Sequence, residues 1–344
     1  MKKHFIGLDA HSRTCSFVVM DARGKVVLRK QVETKESEIL GLVRGLEGAK
    51  ALAFEESTLS QWLYILLKDE VDELVVANPA LIIRTRAAKT DFIDATELAD
   101  LLRVRRLKPV FHSADERMEL RALISGYEDL VQEIVRTKNR IKALFRLSAM
   151  KTEGASFYAD PEVAKKLPSK AHQEVARALF EQLELLTRQQ KEVYGERFKK
   201  NLRRFKELRL LCSVPAIGVV RANQIVGIVV TPYRFPDKYH FYSYAMLVRH
   251  KQLSDGVQYG NKRAFGNGQL KAIFKSSAVC VLRGDNAFRR KYDLMRQAGV
   301  ADKTARNAIS RSIAATVLGV WKSGKKYDDR YMEVRRQGGC CSQR

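Results

Sequence analysis

Two aspartates three residues apart are the side chains of this sequence best suited to metal chemistry. Asp91 and Asp94 begin an apolar-periodic segment in the stretch KTDFIDATELADLLR, and residues three apart share a helix face. Two carboxylates on one face can bind a hard divalent cation. The cationic residues just before them, Arg84, Arg86 and Lys89, could contact phosphate. The spacing is typical of a nuclease, although Asp91 could instead cap the helix and Asp94 could lie in its first turn.

Further carboxylates follow two predicted strands upstream. Asp9 ends the apolar run FIGLD, and Glu55 and Glu56 end the buried run KALAFEE. With Asp91 and Asp94 they could hold two Mg²⁺ or Mn²⁺ ions about 4 Å apart and so cut a phosphodiester. Adjacent strand residues point to opposite faces, so only one of the two glutamates should face the metals. The alternative is that these are ordinary solvated groups at strand ends.

The order of elements predicts how these acids are positioned. Three strands (within 4–9, 14–21 and 25–34), a helix (36–46), a strand (50–56), a helix (61–68), a strand (73–79) and the helix with Asp91 follow one another. This order indicates a mixed α/β sheet with helices on its faces. It looks like the ribonuclease H architecture, in which the fourth strand lies beside the first. Asp9 and one glutamate would then meet at one end of the sheet.

A heptad pattern predicts a long helix from Glu116 to Leu147. A second helical stretch, Ala171 to Lys200, can be its partner. The pair could be a buried hairpin within one chain or a coiled coil between subunits, and the sequence does not separate these alternatives.

The C-terminal part holds three motifs that suit nucleic acid. SVPAIGVVRANQIVGIV resembles a helix-hairpin-helix, which contacts phosphates through backbone N–H groups, although it could be a plain helical turn. YRFPDKYHFYSYAMLVRHK interleaves aromatics with cations, although such aromatics are more often core residues. Ser254 lies in a glycine-rich basic stretch with Lys262 and Arg263, which predicts a phosphate-binding loop with a possible nucleophile or an ordinary loop serine.

The charge distribution favours a polyanionic partner. The net charge is +24; residues 1–110 hold 18 Lys and Arg against 16 Asp and Glu, whereas the remaining 234 residues hold 45 against 23. A nearly neutral first domain before a basic remainder indicates nucleic-acid binding, with an anionic membrane surface as the weaker alternative. The five cysteines show no zinc spacing, and no apolar run approaches the ~20 residues of a membrane span. We therefore expect a soluble, cytoplasmic protein.

Taken together, these motifs resemble the DEDD-type transposases of bacterial insertion sequences. The likeness rests on FIGLD, Glu56-Ser57-Thr58, KTDFIDA, PAIG at 215–218 and the Ser254-Asp255-Gly256 segment before GNGQL. It implies that Asp9, Glu56, Asp91 and Asp94 bind metal, with Glu55 as the alternate to Glu56, and that Ser254 joins covalently to DNA. Family members commonly show glycine where Leu59 stands and directly after the serine, where Asp255 stands.

The resemblance also implies a domain plan. We expect a RuvC-like catalytic domain over 1–112, a coiled-coil domain over 113–205, a mainly α-helical transposase domain over 206–325 and a tail over 326–344. The expected function is an RNA-guided DNA recombinase that needs Mg²⁺ or Mn²⁺ and acts as a homo-oligomer, a dimer or a tetramer, on element and target DNA with a guide or bridge RNA. A Holliday-junction-resolvase-like nuclease and a non-catalytic nucleic-acid-binding protein are the alternatives.

Overall fold

A computed structural model describes residues 3–82, 90–154 and 156–329 of the chain. They form two units that divide between Asp115 and Glu116. The expected boundaries at 112, 205 and 325 stay predictions. Among the described residues, no helix is both long enough and apolar enough to cross a membrane.

The N-terminal unit is a five-stranded mixed sheet with helices on its faces. Its elements are β1 (Lys3–Ala10), β2 (Thr14–Met20), β3 (Val26–Glu33), α1 (Glu36–Arg44), β4 (Ala49–Glu55), α2 (Ser60–Leu67), β5 (Glu73–Ala77) and α3 (Asp91–Arg103). The strand order is β3-β2-β1-β4-β5. β1 is antiparallel to β2 and parallel to β4. The expected position of the fourth strand beside the first is confirmed.

Strand alternation gives this sheet two different faces. Ile6, Leu8, Leu52 and Phe54 are fully buried in one cluster with residues of α1 and α2. The opposite face carries small residues under α3, because Ala51 and Ala53 form a cluster with Leu102 of that helix. Side chains of paired parallel strands that lie opposite each other share a face, so the register determines which acids α3 can approach.

The C-terminal unit is mainly α-helical. It contains α4 (Glu119–Arg146), α5 (Lys170–Gln189), α6 (Glu196–Arg204), α7 (Lys206–Leu211), α8 (Val219–Val229), α9 (Lys238–Tyr244), β6 (Arg249–Ser254), β7 (Val257–Arg263), α10 (Gly268–Cys280), α11 (Ala287–Gln297) and α12 (Asp302–Ser323). A π-helical segment, Gln190–Gly195, joins α5 to α6. The helices predicted at 116–147 and 171–200 are thus present, the second with a π-helical interruption.

The apolar stripe of α4 is covered by helices of the same chain. Ile134, Ile141 and Phe145 pack in a buried cluster with Phe180 and Leu183 of α5. Nearer its start, α4 contributes Leu120 and Ile124 to the large core that also contains Ala222, Ile225, Val226 and Val229 of α8. The structure therefore shows the intramolecular pairing that the heptads allowed, and oligomerisation stays a prediction.

The serine segment is a β-hairpin, so its prediction as a loop was wrong. β6 and β7 are antiparallel, and Ser254 pairs with Val257 across the turn. The turn residues Asp255 and Gly256 have positive φ angles of 50° and 73°, which is the geometry of a tight two-residue hairpin turn. An Asp-Gly pair favours this turn because both residues tolerate that conformation. Clustered glycines and cations had pointed to an irregular loop.

Candidate metal centre and serine hairpin

Helix α3 begins so that its first carboxylate is not used as a cap. Thr90 is the N-cap residue, and its Oγ1 accepts a hydrogen bond from the N–H of Ile93 at 3.3 Å. The cap is thus a hydroxyl, and the interpretation of Asp91 as the capping residue was wrong. Asp91 and Asp94 both lie in the first turn, where the N-terminal end of the helix dipole favours negative charge.

A glycine in β1 lets α3 lie directly against the sheet. A Cβ added to Gly7 would lie 1.8 Å from the carbonyl oxygen of Ala95 and 2.7 Å from the N–H nitrogen of Ala99. Ala95 and Ala99 are themselves fully buried. Small residues on both sides bring the helix backbone close to β1, and the first turn of α3 therefore comes near the end of that strand.

Three side chains from two segments converge at this point. One ligand atom each of Asp9, His11 and Asp91 lies within 4.8 Å of the others. Nε2 of His11 is 3.2 Å from Oδ2 of Asp9 and 3.6 Å from Oδ1 of Asp91. Asp9 is the most enclosed of the three, with 18% of its side chain exposed. The sequence-predicted acids Asp9 and Asp91 are brought together.

The electrostatics of Asp9 suit a cation. Burial raises the pKa of its carboxyl above the ordinary value; the imidazole of His11 lowers it, and the neighbouring carboxylates of Asp91 and Asp94 raise it. A bound divalent ion would relieve the repulsion among these carboxylates. Asp94 is therefore electrostatically part of this group, and the donors present fit a Mg²⁺ or Mn²⁺ ion.

The two glutamates of β4 have different surroundings. Leu8 pairs with Phe54, so continuing the register places Glu55 beside Asp9 on the α3 face. Glu56 follows the end of β4, and its Oε2 lies 2.6 Å from Nε2 of His112. Neither glutamate belongs to the group of Asp9, His11 and Asp91.

His112 is a buried partner of the partly exposed Glu56. Only 3% of the His112 side chain is exposed, and its Nδ1 lies 3.0 Å from Oε1 of Gln61. The amide of Gln61 is oriented by its Nε2, which donates to the carbonyl oxygen of Ser113 at 3.0 Å. A carboxylate so positioned has one oxygen taken by the ring, and its other oxygen remains an acceptor.

The serine hairpin carries its own cations. Ser254 ends β6 and is exposed. Arg249, His250 and Lys251 precede it on the same strand, and Lys262 of β7 pairs with His250. The hairpin thus presents a hydroxyl and positive charge to solvent, which suits an anionic partner. The predicted phosphate contacts Arg84, Arg86 and Lys89, and the side chain of Arg263, lie outside the described residues.

Two histidines of these sites were not found by sequence reasoning. His11 lies two residues after Asp9 and one residue after the end of β1, so its closeness to Asp9 in the sequence was an available signal. His112 has no local signal, because it lies 56 residues from Glu56. Both were missed because neither belongs to a metal-binding His-Cys pattern.

Comparison with known proteins gives two matched regions, one containing the metal-binding candidates and one containing the serine hairpin. Residues 6–149 match a family model described as "Transposase" and named for DEDD enzymes of IS110. Residues 208–293 match the "Transposase IS116/IS110/IS902 family". The chain is also similar to an "Insertion element IS110 uncharacterized 43.6 kDa protein" of Streptomyces coelicolor, with 23% identity over 95% of this chain and 96% of that protein. The first match spans the acids, and the second spans Ser254.

Proposed function

We propose that this chain is an RNA-guided recombinase. The proposal builds on its two transposase domains of the IS110 type, since such a transposase transfers DNA strands. It cuts and rejoins the strands of an insertion sequence and its target. The convergence of Asp9, His11 and Asp91 within 4.8 Å is the observation that carries the proposal.

In this proposal the acids hold Mg²⁺ or Mn²⁺. Asp9, Asp91 and Asp94 supply three carboxylates, and Glu56 supplies the fourth by family resemblance, whereas the sheet register favours Glu55. When bound, the cation would polarise the scissile phosphate and stabilise the leaving oxygen. The protein's own part is to fix the carboxylates at the end of β1 and the start of α3, so that little reorganisation is needed on binding.

Ser254 is the proposed nucleophile. Its Oγ forms a bond to phosphorus while the bond from phosphorus to a sugar oxygen breaks. The hydroxyl proton passes to a base or to water, and the departing sugar oxygen takes up a proton to become a hydroxyl. A hydroxyl of the second strand then attacks the phosphorus and gives up its proton while the bond from phosphorus to the serine oxygen breaks. The serine oxygen takes up a proton, and the new strands are joined. Covalent catalysis of this kind conserves the energy of the phosphodiester bond through two easier steps.

Basic residues would bind the DNA and RNA partners of the proposed recombinase. The excess of positive charge lies after residue 110, and cations of the hairpin flank Ser254. Such charge binds phosphate backbones without reading sequence. A guide or bridge RNA that pairs with DNA would supply the specificity, and a homo-oligomer would be the active form.

Trapping of a covalent adduct tests the serine step. Wild-type protein, purified with its RNA, is incubated with end-labelled element DNA and Mg²⁺, then denatured and resolved by electrophoresis. A labelled protein band is expected for the wild type and for Ser37→Ala, a control at an exposed serine of α1. Ser254→Ala should give none, and an undiminished band from that variant would refute the role of Ser254. Sequencing of the copurified RNA tests guidance, and finding no specific RNA would contradict it.

A second candidate is a resolvase-like nuclease that uses water. It is favoured by one observation, that Asp9, His11 and Asp91 all lie within the N-terminal unit and assemble there without Ser254. The Ser254→Ala variant separates the candidates, because a nuclease would still hydrolyse branched DNA. The double variant Asp91→Asn and Asp94→Asn tests whether there is an enzyme at all. Persistence of all DNA processing in that variant would leave only nucleic-acid binding.

A further inference from the structure

His11 stands where a third ligand of the metal centre would stand. Its Nε2 lies 3.2 Å from Oδ2 of Asp9 and 3.6 Å from Oδ1 of Asp91. A cation placed among these atoms would contact two oxygens and one nitrogen. The DEDD pattern of four carboxylates contains no nitrogen donor, so His11 would change the chemistry of the site.

The backbone around His11 is fixed independently of the acids. The N–H of His11 donates to the carbonyl oxygen of Thr14 at 2.9 Å. The carbonyl oxygen of His11 accepts from Oγ1 of Thr34 at 2.6 Å, and the N–H of Thr34 donates to the carbonyl oxygen of Arg13 at 2.9 Å. The turn between β1 and β2 is therefore tied to the end of β3. These bonds fix the backbone of His11, and the ring contact with Asp9 at 3.2 Å is made from that fixed position.

In the part of the chain that the structure describes, the acids around His11 have only the histidine itself as a cationic neighbour. Within the described residues, no lysine or arginine is paired with Asp9 or Asp91. Structural carboxylates elsewhere in the chain do have one, since Arg204 binds both Glu116 and Glu119. An imidazole placed beside carboxylates is the arrangement expected for metal ligands, because a ring nitrogen can offer its lone pair to a cation.

Resting on the proposed metal-dependent function, we infer that His11 is a nitrogen ligand of the bound cation and biases the site toward Mn²⁺ over Mg²⁺. Mg²⁺ takes oxygen ligands in octahedral geometry. An imidazole nitrogen is a better ligand for first-row transition-metal ions than for Mg²⁺. Mn²⁺ belongs to that series, as its most weakly bound member. The other possibility is a charged ring that only neutralises the acids and turns away when a metal enters.

Pulsed electron paramagnetic resonance on Mn²⁺ bound to the full-length protein distinguishes these possibilities. A directly bound imidazole gives a nitrogen coupling that changes when the protein carries ¹⁵N-labelled histidine. We expect this coupling in the wild type and in His240→Ala, a control at an exposed histidine of α9. His11→Ala and His11→Gln should lose it. Removal of the ligand should also weaken Mn²⁺ binding about tenfold or more, while Mg²⁺ binding, measured by competition, changes less.

The outcomes separate this inference from the proposed function. Mn²⁺ that binds the wild type without any histidine coupling would overturn the role of His11 and leave the metal-dependent function standing. A coupling that survives in both His11 variants would do the same. Failure of the wild type to bind Mn²⁺ at all would overturn the inference and the proposed metal site together. The wild-type spectrum alone is decisive, so the test does not depend on the folding of either variant.

Discussion

Oε2 of Glu56 lies 2.6 Å from Nε2 of His112, and this contact joins the end of β4 to a buried ring. Continuing the register of β1 and β4 past Leu8 and Phe54 places the neighbouring Glu55 beside Asp9. Two adjacent carboxylates therefore have different surroundings, one with a buried histidine and one on the side of α3. The difference gives two separable predictions.

Glu56→Gln should destabilise the N-terminal unit. His112 is nearly inaccessible, with 3% of its side chain exposed, so loss of the charged acceptor leaves it a weaker partner. A hydrogen bond to a charged group contributes roughly 1.5–3 kcal/mol and a neutral one about 1 kcal/mol, so we expect the free energy of unfolding to fall by the difference, about 1 kcal/mol. Urea denaturation of this variant and of the wild type measures it, with Glu38→Gln, at an exposed glutamate of α1, as the matched control. Equal stability of Glu56→Gln and wild type would show that the contact contributes nothing.

Glu55→Gln should weaken divalent-metal binding more than Glu56→Gln does. The reason is the register, which carries Glu55 toward Asp9 on the α3 face. Isothermal titration with Mn²⁺ on both variants compares the two carboxylates directly. A larger loss of Mn²⁺ affinity in Glu56→Gln would show that Glu56 is the fourth metal-binding carboxylate, as the family resemblance implies, and that His112 orients it.

Gly7→Ala should be severely destabilising. Its Cβ would lie 1.8 Å from the carbonyl oxygen of Ala95, so α3 must move away from β1. Forcing atoms into a packed interior typically costs about 1–3 kcal/mol or more, and we expect the upper end because the clash is with backbone. Thermal denaturation and Mn²⁺ titration should show losses together, since Asp91 moves with the helix. Gly41→Ala is the control, because nothing lies within 4 Å of its Cβ position.

Asp9→Asn should stabilise the metal-free protein near neutral pH. The pKa of Asp9 is raised, chiefly by burial, so the folded state disfavours the charged form. The protonated Asp9 carboxyl therefore favours the folded state. This contribution to stability is complete below the ordinary pKa of an aspartate and is lost as the pH rises through the raised pKa of Asp9. The melting temperature of the variant should exceed that of the wild type at pH 7, and the gap should close in acid.

Metal should reverse that ranking. Mn²⁺ should raise the melting temperature of the wild type and leave Asp9→Asn nearly unchanged, because ligand binding stabilises only a protein that binds it. Asp69→Asn removes an exposed carboxylate and serves as the control. A wild type that melts higher than Asp9→Asn without metal would show that the contact with His11 outweighs burial.

Much of the sheet could be predicted from local patterns, because β-branched runs and turn residues mark strands directly. The meeting of Asp9 and one glutamate at one end of the sheet was predicted because neighbouring parallel strands end at the same edge. The approach of Asp91 to Asp9 depends instead on how α3 packs against Gly7 of β1. The N-cap was misassigned although Thr90 precedes Asp91, because acids and hydroxyls both cap helices and the spacing alone ranks neither. In this helix the hydroxyl of Thr90 is the cap, so the carboxylate of Asp91 remains available to the candidate metal site.

Other features depend on residues distant in the chain. The contact of Glu56 with His112 spans 56 positions, and no periodicity encodes such a pair. The choice between Glu55 and Glu56 needed the register of β4 against β1, which one sequence does not give. In contrast, the Asp255-Gly256 turn was readable, since Asp-Gly between short extended runs is a strong hairpin signal, and it was obscured by the surrounding glycines.

Gly256→Ala should impair strand transfer without unfolding the protein. Gly256 has a φ of +73°, where an alanine is strained by about 1 kcal/mol. The turn fixes the position of Ser254 at the end of β6, so a distorted turn misplaces the proposed nucleophile. We expect covalent adduct formation to slow about tenfold or more while the melting temperature shifts little, because the hairpin is exposed. Gly268→Ala, a position with no atom within 4 Å and no positive φ, is the matched control. Unchanged adduct formation in Gly256→Ala would show that the hairpin turn does not position the serine.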